Sequence, residues 1–197
     1  MKPRDLEFLF EISAMRNMER GWKHQLGMDC ANDVEHTFRV MFIALLLARM
    51  EGGVDENKVL KMALMHDIDE SRTGDAEYVQ KRYVSADSER VLKDMFDNTS
   101  FDDLRTGVAQ EYHARETLEA KIVKDADNID IDLELRELED RGSLLPRKWK
   151  ETTRRLVREE KLYTDSAKKL WDAIWEADPT DWHRKANKWI HMPEAGK

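Results

Sequence analysis

The sequence predicts an all-α fold, a helical bundle formed by a single domain. Apolar residues recur with a period near 3.6 along most of the chain, and no segment alternates apolar and polar residues as a half-buried strand does. Only 8 Gly and 4 Pro interrupt the 197 residues, which favours long helices. A chain of this length can bury a substantial core. We expect one domain over residues 1–197, with its core over about 5–160 and additional C-terminal helices over about 146–192.

The first two predicted helices have recognisable start and stop signals. The first helix begins with Leu6 and ends near Gly21. The second begins after Asn32, which forms a capping-box pattern with Glu35, and it ends at the glycine pair 52–53. Apolar residues of this second helix lie on almost all of its faces, so we expect the helix at the centre of the core.

Further helices follow along the rest of the chain. Asp55 caps a third helix, which runs into His66, and the segment 71–75 predicts a loop because Ser, Thr, Gly and Asp cluster there. Pro146 begins a last section of roughly three helices, which holds five of the six Trp residues. Between these regions the pattern predicts two shorter helices and one long helix, over about 87–97, 101–112 and 116–141.

The composition indicates a cytoplasmic protein with no membrane or nucleic-acid partner. The formal net charge of -8 provides no basic field for a nucleic-acid polymer. No uncharged apolar stretch is long enough to span a membrane, and the first five residues turn acidic before a signal-peptide core could form. The single cysteine, Cys30, excludes an internal disulfide and is typical of a reducing compartment.

Two histidines and two aspartates on apolar helices predict a metal site. His36 lies at the head of the second predicted helix, His66 and Asp67 end the third, and Asp127 lies within the long helix. Two imidazoles and two carboxylates suit a divalent transition ion. Metal sites inside helical bundles draw their ligands from facing helices in this way. Glu70 lies four residues after His66 and would share its face if the helix continued that far.

Each of these residues also has a simpler interpretation. A histidine in the first turn of a helix, such as His36, is commonly a cap or a surface residue. His66 can be a core histidine whose hydrogen bonds are satisfied. Asp127 is one of four acids between 125 and 132 and can belong to a solvated helix face. Their joint occurrence, rather than any one of them, favours the metal site.

The arrangement resembles the HD-domain metal-dependent phosphohydrolases, whose hallmark is H…HD…D in an all-α domain. The segment 66–75 (HDIDESRTGD) is similar to the HD-x-x-E-x-x-TGD stretch of the 5′-deoxynucleotidase branch, and 119–127 (EAKIVKDAD) is similar to the helix that bears its last metal ligand. The similarity covers roughly residues 5–160. The resemblance implies one set of metal ligands: His36, His66, Asp67 and Asp127.

The resemblance also implies roles for residues around the ion. Glu70 and Asp75 match acids that transfer protons and position the substrate, and Thr73 matches a hydroxyl that contacts the substrate. Arg20 lies close to where the branch places a phosphate-binding arginine. Trp22 would be the aromatic residue that senses the sugar, although one glycine separates it from Arg20 where some members have the two side by side.

These features predict a metal-dependent phosphohydrolase, and foremost a 5′-nucleotidase that releases phosphate from (deoxy)ribonucleoside 5′-monophosphates. The expected cofactor is one divalent ion, namely Mn, Co, Fe, Ni or Zn. The expected partner is a nucleoside monophosphate or another small phosphoester, and the tryptophan-rich last section is compatible with a homodimer. An HD-type phosphodiesterase or a nucleotide pyrophosphohydrolase is an alternative that keeps the same ion. A helical interaction module with a structural ion is the non-enzymatic alternative.

Other conspicuous residues are expected to have structural or surface roles. His113 follows a predicted helix end, where a cap or surface residue is more common than a cavity residue. Trp171 and Trp175 lie four residues apart and favour a core position over a ligand platform. A basic cluster late in the chain is interrupted by acids, so a solvated amphipathic face explains it better than an RNA-binding surface. This cluster comprises Arg147, Lys148, Lys150, Arg154, Arg155 and Arg158.

Overall fold

The computed structural model describes residues 1–186, and these residues form an all-α fold, as the sequence predicts. The α-helices are α1 (Asp5–Ala14), α2 (Lys23–Leu26), α3 (Asp33–Glu51), α4 (Glu56–Met65), α5 (Glu70–Thr73), α6 (Ser88–Phe96), α7 (Gln110–Ala114), α8 (Leu118–Asp140), α9 (Leu145–Trp149), α10 (Arg155–Glu160), α11 (Asp165–Glu176) and α12 (Asp181–Ala186). Short 3₁₀ turns lie at Met15–Asn17 and Gln80–Arg82, and π-helical turns lie at Leu104–Ala109 and Lys150–Arg154.

The two longest helices, α3 and α8, form the centre of the core together with α4. Val40 and Leu47 of α3 and Ile122 and Ile129 of α8 are fully buried, and in each helix the two residues lie seven positions apart on one face. Ala126 is also fully buried, and its small side chain permits close approach of the neighbouring helices beside Asp127. Truncating one of the large residues would cost about 2–5 kcal/mol of stability. Packing therefore fixes α3, α4 and α8 relative to one another.

The capping box that the sequence predicts fixes the start of α3. The side chain of Asn32 accepts the backbone N–H groups of Val34 and Glu35, each at 3.0 Å, and the Glu35 carboxylate accepts the N–H of Asn32 at 3.1 Å. A cap of this kind stabilises a helix by about 1 kcal/mol. His36 consequently lies in a well-defined first turn.

The predicted end of the first helix is wrong. The helix ends at Ala14, and after one 3₁₀ turn the chain becomes extended at Met18, where φ and ψ are -82° and 116°. The carbonyl of Met18 accepts the N–H of Asp33 at 3.2 Å. The segment 18–22 therefore runs beside the start of α3 instead of continuing a helix to Gly21.

The predicted loop at 71–75 is in part the short helix α5. The N–H of Thr73 donates to the carbonyl of Asp69 at 3.2 Å, and the N–H of Gly74 donates to the carbonyl of Glu70 at 2.7 Å. Gly74 then ends the turn with a φ of 77°, which favours glycine. The composition of this segment favours a loop, but one turn of helix satisfies its backbone groups.

The section after Pro146 folds back onto the core. Trp171 and Trp175 of α11 are buried in the same apolar cluster as α3 and α8, which confirms their predicted core position. Residues 187–192 of the predicted C-terminal helices lie outside the described residues. Among the helices of residues 1–186, none combines the length and the apolar character that crossing a membrane requires.

Candidate metal centre and substrate site

The four predicted metal ligands come together where three core helices meet. His36 is in the first turn of α3, His66 and Asp67 follow the end of α4, and Asp127 lies in the middle of α8. One potential ligand atom from each residue lies within 4.8 Å of all the others. The two histidine Nε2 atoms are 3.1 Å apart, and Nε2 of His36 is 3.4 Å from carboxylate oxygens of Asp67 and Asp127. These atoms surround a point that one divalent ion could occupy.

Hydrogen bonds on the far side of each imidazole orient the two Nε2 atoms toward this point. Nδ1 of His66 donates to the carbonyl of Ala63 at 2.7 Å, and Nδ1 of His36 lies 2.7 Å from the carboxylate of Asp130. Arg39 donates to both oxygens of Asp130, at 2.7 and 2.8 Å. Partners of this kind select the tautomer whose Nε2 lone pair is available to a metal.

The electrostatics of the cluster also fit a cation. Although burial acts to lower it, hydrogen bonds to Asp127 and Asp130 raise the pKa of His36 well above its usual range. Although burial acts to raise it, Lys124 and His36 hold the pKa of Asp127 below its usual range. Ionised carboxylates thus converge on histidine nitrogens, and a divalent ion could replace the imidazole proton between them.

The acidic run around Asp127 is not a solvated face, so that simpler interpretation is wrong. Asp125 is fully buried and accepts the N–H and the hydroxyl of Thr164, at 2.9 and 2.8 Å. Asp132 is also fully buried and accepts two hydrogen bonds from Arg154, at 3.0 and 2.6 Å. Arg154 is itself buried, which removes it from the basic cluster that the sequence predicts to be solvated. These acids attach the later helices to α8.

Arg20 lies beside the metal ligands, as the resemblance implies. Its Nη1 is 3.2 Å from Asp67, its Nε is 3.2 Å from Asp75, and its side chain is only 11% exposed. Asp75 also accepts the N–H of Gly21 at 3.0 Å. The structure thus places Asp75 against the Arg20 segment, where it orients the arginine.

The glycine between Arg20 and Trp22 is required by a close approach. A Cβ atom on Gly21 would lie 2.7 Å from the carbonyl oxygen of Asp75 and 2.9 Å from the backbone nitrogen of Glu77. Both are backbone atoms that cannot swing aside. The glycine spacing is therefore a consequence of how this segment packs.

Glu70 reaches the site although α4 ends before this residue. The helix ends at Met65, and Glu70 begins α5, with its Oε2 buried and 3.9 Å from Nη1 of Arg20. Burial, followed by the negative charges of Asp67 and Asp75, raises the pKa of Glu70 to about 10. A carboxyl group in this state can donate a proton.

Two cavities reach the candidate ligands, and Lys124 lines both of them. One has a volume of about 380 Å³ and includes Arg20, Trp22 and Asp127 in its lining. The other has a volume of about 650 Å³ and includes Asp67 and Glu70. Each is within the range of small-molecule sites.

The first cavity has an aromatic wall and the second has a basic rim. The Trp22 ring lies 6.4 Å from that of Tyr78 and 5.6 Å from that of Trp149. His113 and Arg115 line the second cavity, and His113 is exposed there, which agrees with its predicted surface position. Arg115 has a φ of 56°, an unusual conformation for a residue other than glycine.

Thr73 lines the edge of the second cavity but is less available than expected. Its hydroxyl donates to the carbonyl of Asp69 at 3.2 Å, so it stabilises α5. It would have to exchange this bond to donate a hydrogen bond to a substrate.

Sequence reasoning missed several residues of the site, among them Lys124, Asp130 and Arg39. Nζ of Lys124 donates to Asp127 at 2.6 Å and lines both cavities, and Asp127 raises the pKa of Lys124, which keeps it charged. Lys124 and Asp130 each lie three residues from Asp127 on α8, and Arg39 lies three residues after His36 on α3. That spacing, which places residues on one helix face, is the signal that could have found them.

Comparisons with known proteins show the family of this chain. The HD-domain family model matches residues 12–171. A 5′-deoxynucleotidase of Danio rerio is 28% identical over 145 residues, which cover 68% of this chain and 70% of that protein. A 5′-deoxynucleotidase of Vibrio vulnificus (strain YJ016) is 28% identical over 137 residues, which cover 62% of this chain and 69% of that protein.

Solved structures share the fold. A conserved hypothetical protein from Pyrococcus furiosus has a TM-score of 0.73 at 23% identity, and the match covers 88% of this chain and 100% of that chain. A protein from Magnetospirillum magnetotacticum, described as a predicted metal-dependent phosphohydrolase, has a TM-score of 0.65 at 24% identity, covering 87% and 89%. The family match spans most of the sequence, including every residue of the metal cluster, and the chain therefore belongs to the HD-domain family of metal-dependent phosphohydrolases.

Proposed function

We propose that this protein is a metal-dependent 5′-nucleotidase that releases phosphate from nucleoside 5′-monophosphates, with a preference for deoxyribose. The observation that carries the proposal is the convergence of His36, His66, Asp67 and Asp127 within 4.8 Å, with Arg20 held against Asp67. A metal site alone would serve a structural role, whereas an adjacent arginine and open cavities suit an anionic substrate. The two 5′-deoxynucleotidase relatives support the choice of substrate class.

The four ligands would hold one divalent ion, for which we propose Mn, Co, Fe, Ni or Zn. When bound, the ion supplies Lewis acidity, which offsets charge on the phosphoryl oxygens and makes water more acidic. The mixed nitrogen and oxygen donors suit any of these ions. Asp130 contacts Nδ1 of His36, and the Ala63 carbonyl accepts from Nδ1 of His66. These hydrogen bonds would keep the two imidazoles oriented toward the ion.

The charged residues around the ligands would bind and protonate the substrate. Arg20 would hold two nonbridging phosphoryl oxygens, a geometry that suits a guanidinium. Lys124, whose charge faces Asp127, would add attraction for the phosphoryl group. Glu70 would give its proton to the departing 5′-oxygen, a contribution of about 10² to 10⁴ in rate. Asp75 would keep Arg20 in place.

The nucleoside would occupy the aromatic cavity. Trp22 and Tyr78 line it beside Arg20, and aromatic rings offer a face on which a base or sugar can pack. Trp22 is two residues from Arg20, so phosphate and sugar contacts would come from one segment. Thr73, on the other cavity, would have a minor role in substrate contact.

The test is phosphate release from a panel of ribo- and deoxyribonucleoside 5′-monophosphates. Metal-stripped protein is resupplied with Mn²⁺ or Co²⁺, and wild type is compared with Asp67→Ala and Glu70→Ala. We expect metal-dependent release that falls strongly in both variants, with bound metal lost in Asp67→Ala and retained in Glu70→Ala. Absence of release from every monophosphate by protein that has one bound ion per chain would reject the 5′-nucleotidase proposal.

The second cavity favours one alternative, a nucleotide pyrophosphohydrolase. Lys81, Lys124 and Arg115 line it, and these cations could accommodate additional phosphate groups. The same protein is therefore offered deoxyribonucleoside triphosphates. Pyrophosphate or triphosphate as the product would favour this alternative over phosphomonoester hydrolysis.

We also propose a homodimer formed through the outer face of α3. Five apolar side chains on this helix recur every four residues and are exposed, from 42% for Val34 to 63% for Phe38. Such a ridge can pack into the grooves of a second copy. The residues are Val34, Phe38, Phe42, Leu46 and Met50.

Sedimentation measures the dimer directly. Wild type should have about twice the mass of one 23.2 kDa chain, and Phe38→Glu combined with Phe42→Glu should be monomeric. Phe10→Glu, at an exposed position on α1, is the control and should remain dimeric. A monomeric wild type at micromolar concentration would exclude this interface.

The proposal places the whole function in one cytoplasmic HD domain. Trp171 and Trp175 belong to the same apolar cluster as α3 and α8, which supports one domain over the described residues. Cys30 is a free cysteine, as is typical of a reducing compartment.

A further inference from the structure

Asp33 is a buried carboxylate to which neither the sequence nor the proposed reaction gives a role. Its side chain is fully buried, and neither oxygen accepts a hydrogen bond from the described residues. An ionised carboxylate without partners is strongly unfavourable in a protein interior. Burial raises the pKa of Asp33 to about 6, so its ionised form at neutral pH depends on a positive charge nearby.

The compensating charge is the guanidinium of Arg20. Nη1 of Arg20 lies 3.6 Å from Oδ1 of Asp33, within ion-pair distance but beyond a good hydrogen bond. The same nitrogen lies 3.2 Å from Asp67. Nε of Arg20 is held on its other side by Asp75, also at 3.2 Å. Carboxylates therefore restrain both ends of the guanidinium.

Asp33 is itself fixed from two directions. It is the first residue of α3 and follows the capping residue Asn32, so its backbone is set by the capping box. Its N–H donates to the carbonyl of Met18, two residues before Arg20. Asp33 thus connects the first turn of α3 to the segment that carries the arginine, by one backbone bond and one ion pair.

Asp33 and Asp67 hold Arg20 in different ways. Asp67 is a candidate metal ligand, and a bound ion would draw on the same carboxylate that contacts Arg20. Asp33 is not in the ligand cluster, so its charge remains available to Arg20 whether or not an ion is bound.

We propose that Asp33 is a positioning residue that holds Arg20 in the orientation in which it binds the phosphoryl group. The proposal rests on the phosphate-binding role of Arg20 in the proposed function. Neutralising Asp33 should weaken binding of phosphate and of monophosphate substrates, with little effect on metal binding. Because Asp33 acts through Arg20, its effect should disappear when Arg20 is absent.

A second cation site is the competing explanation. Asp33, Glu70 and Asp75 offer one oxygen each within 4.8 Å of one another, a geometry that could hold a metal ion. The guanidinium of Arg20, however, lies among these three carboxylates, within 3.9 Å of each. Arg20 is the cation that they already hold. The two explanations differ in the number of ions bound per chain.

The experiment compares Asp33→Asn with wild type and with Asp29→Asn. Asparagine preserves the shape of Asp33 and removes its charge. Asp29 is a matched control, because it lies in the same region with a side chain that is 98% exposed. For each protein loaded with Mn²⁺, the measurements are KM and kcat for a deoxyribonucleoside monophosphate, the affinity for inorganic phosphate by calorimetry, and the metal content per chain.

In Asp33→Asn we expect KM and the phosphate dissociation constant to rise together by about 10-fold, with a much smaller change in kcat. One ion per chain should remain. In an Arg20→Ala background, Asp33→Asn should have no further effect on phosphate affinity, which a merely structural loss would not predict. Asp29→Asn should match wild type throughout.

Unchanged phosphate affinity in Asp33→Asn would overturn the inference, as would a weakening that persists in the Arg20→Ala background. Two ions per chain in wild type and one in Asp33→Asn would overturn it in favour of the cation site. Phosphate binding keeps this test separate from the proposed function. If wild type binds phosphate but hydrolyses no monophosphate, the nucleotidase proposal fails while Asp33 can still be judged.

Discussion

The metal-ligand side and the arginine side of this site are held in place by different forces. His36 and Asp127 lie on the two central helices of a tightly packed core, so apolar contacts fix their backbone. Arg20 lies in the non-helical segment 18–22, and ion pairs with three carboxylates hold its side chain. One half of the site is positioned by packing and the other half by charge.

This difference predicts how each half responds to substitution. A position fixed by packing keeps its geometry when a nearby polar group is neutralised. A position fixed by ion pairs changes when any one charge is removed, because its neighbours then rearrange. Substitutions that remove a charge without changing the shape of the side chain should therefore affect metal binding and substrate binding separately.

The largest effect is expected from removing a ligand on the packed side. Asp127→Ala should lower kcat/KM by more than about 10³-fold. The site would lose a carboxylate ligand, and with it the bound ion that supplies Lewis acidity. Bound metal, measured by elemental analysis, should fall in parallel. Asp140→Ala, at the exposed end of the same helix, is the control. Full metal content with full activity in Asp127→Ala would remove this residue from the ligand set.

A smaller effect is expected from changing the arginine on the charged side. Arg20→Lys keeps the positive charge but loses the two-pronged donor geometry, so KM should rise by about 10- to 100-fold. Metal content should be unchanged. The measurement is steady-state kinetics on one deoxyribonucleoside monophosphate. An effect on metal content as large as that on KM would contradict the separation of the two halves.

Substitution of Asp130, which contacts His36, tests the packed side without replacing a metal ligand. Asp130→Asn should weaken metal binding by about 10- to 100-fold, because His36 would lose the charged partner of its Nδ1. A chelator titration measures this change. The KM of fully metal-loaded protein should stay close to that of wild type, and a large rise in KM would show that the halves are coupled.

The smallest expected effect is a pH dependence of stability. Although burial acts to raise it, Arg39 and His36 lower the pKa of Asp130. A group whose pKa is lower in the folded state stabilises the fold above its unfolded value of about 3.9, and this contribution is lost as the pH falls through the folded value. In urea denaturation of metal-free protein, the unfolding free energy should therefore fall below about pH 4. Asp130→Asn should show a shallower fall, and identical slopes would exclude this contribution.

The sequence predicts the helices of the core and the residues that meet at the candidate metal centre. His36 precedes an apolar helical pattern, His66 follows one and Asp127 interrupts one, and such patterns fix which residues face the core. The capping box at Asn32 was predicted for the same reason, since it depends on residues close in sequence. The catalytic and binding roles of the site residues stay predictions until activity is measured.

The parts that could not be predicted depend on contacts between distant segments. Asp33 is buried because the segment 18–22 runs beside α3, and nothing in the local sequence of either segment indicates that pairing. Asp132 is buried because Arg154, 22 residues later, folds back to bond with it. For the same reason the acidic run on α8 was open to interpretation as a solvated face.

The absence of a side chain at Gly21 also limits how this protein can evolve. The backbone of 75–77 fills the space that any Cβ atom at this position would need. An aromatic residue at position 21, directly after Arg20, is therefore closed to this chain by single substitution. That arrangement would become accessible only if the segment 75–77 moved first, so two regions more than fifty residues apart in sequence must change in a fixed order.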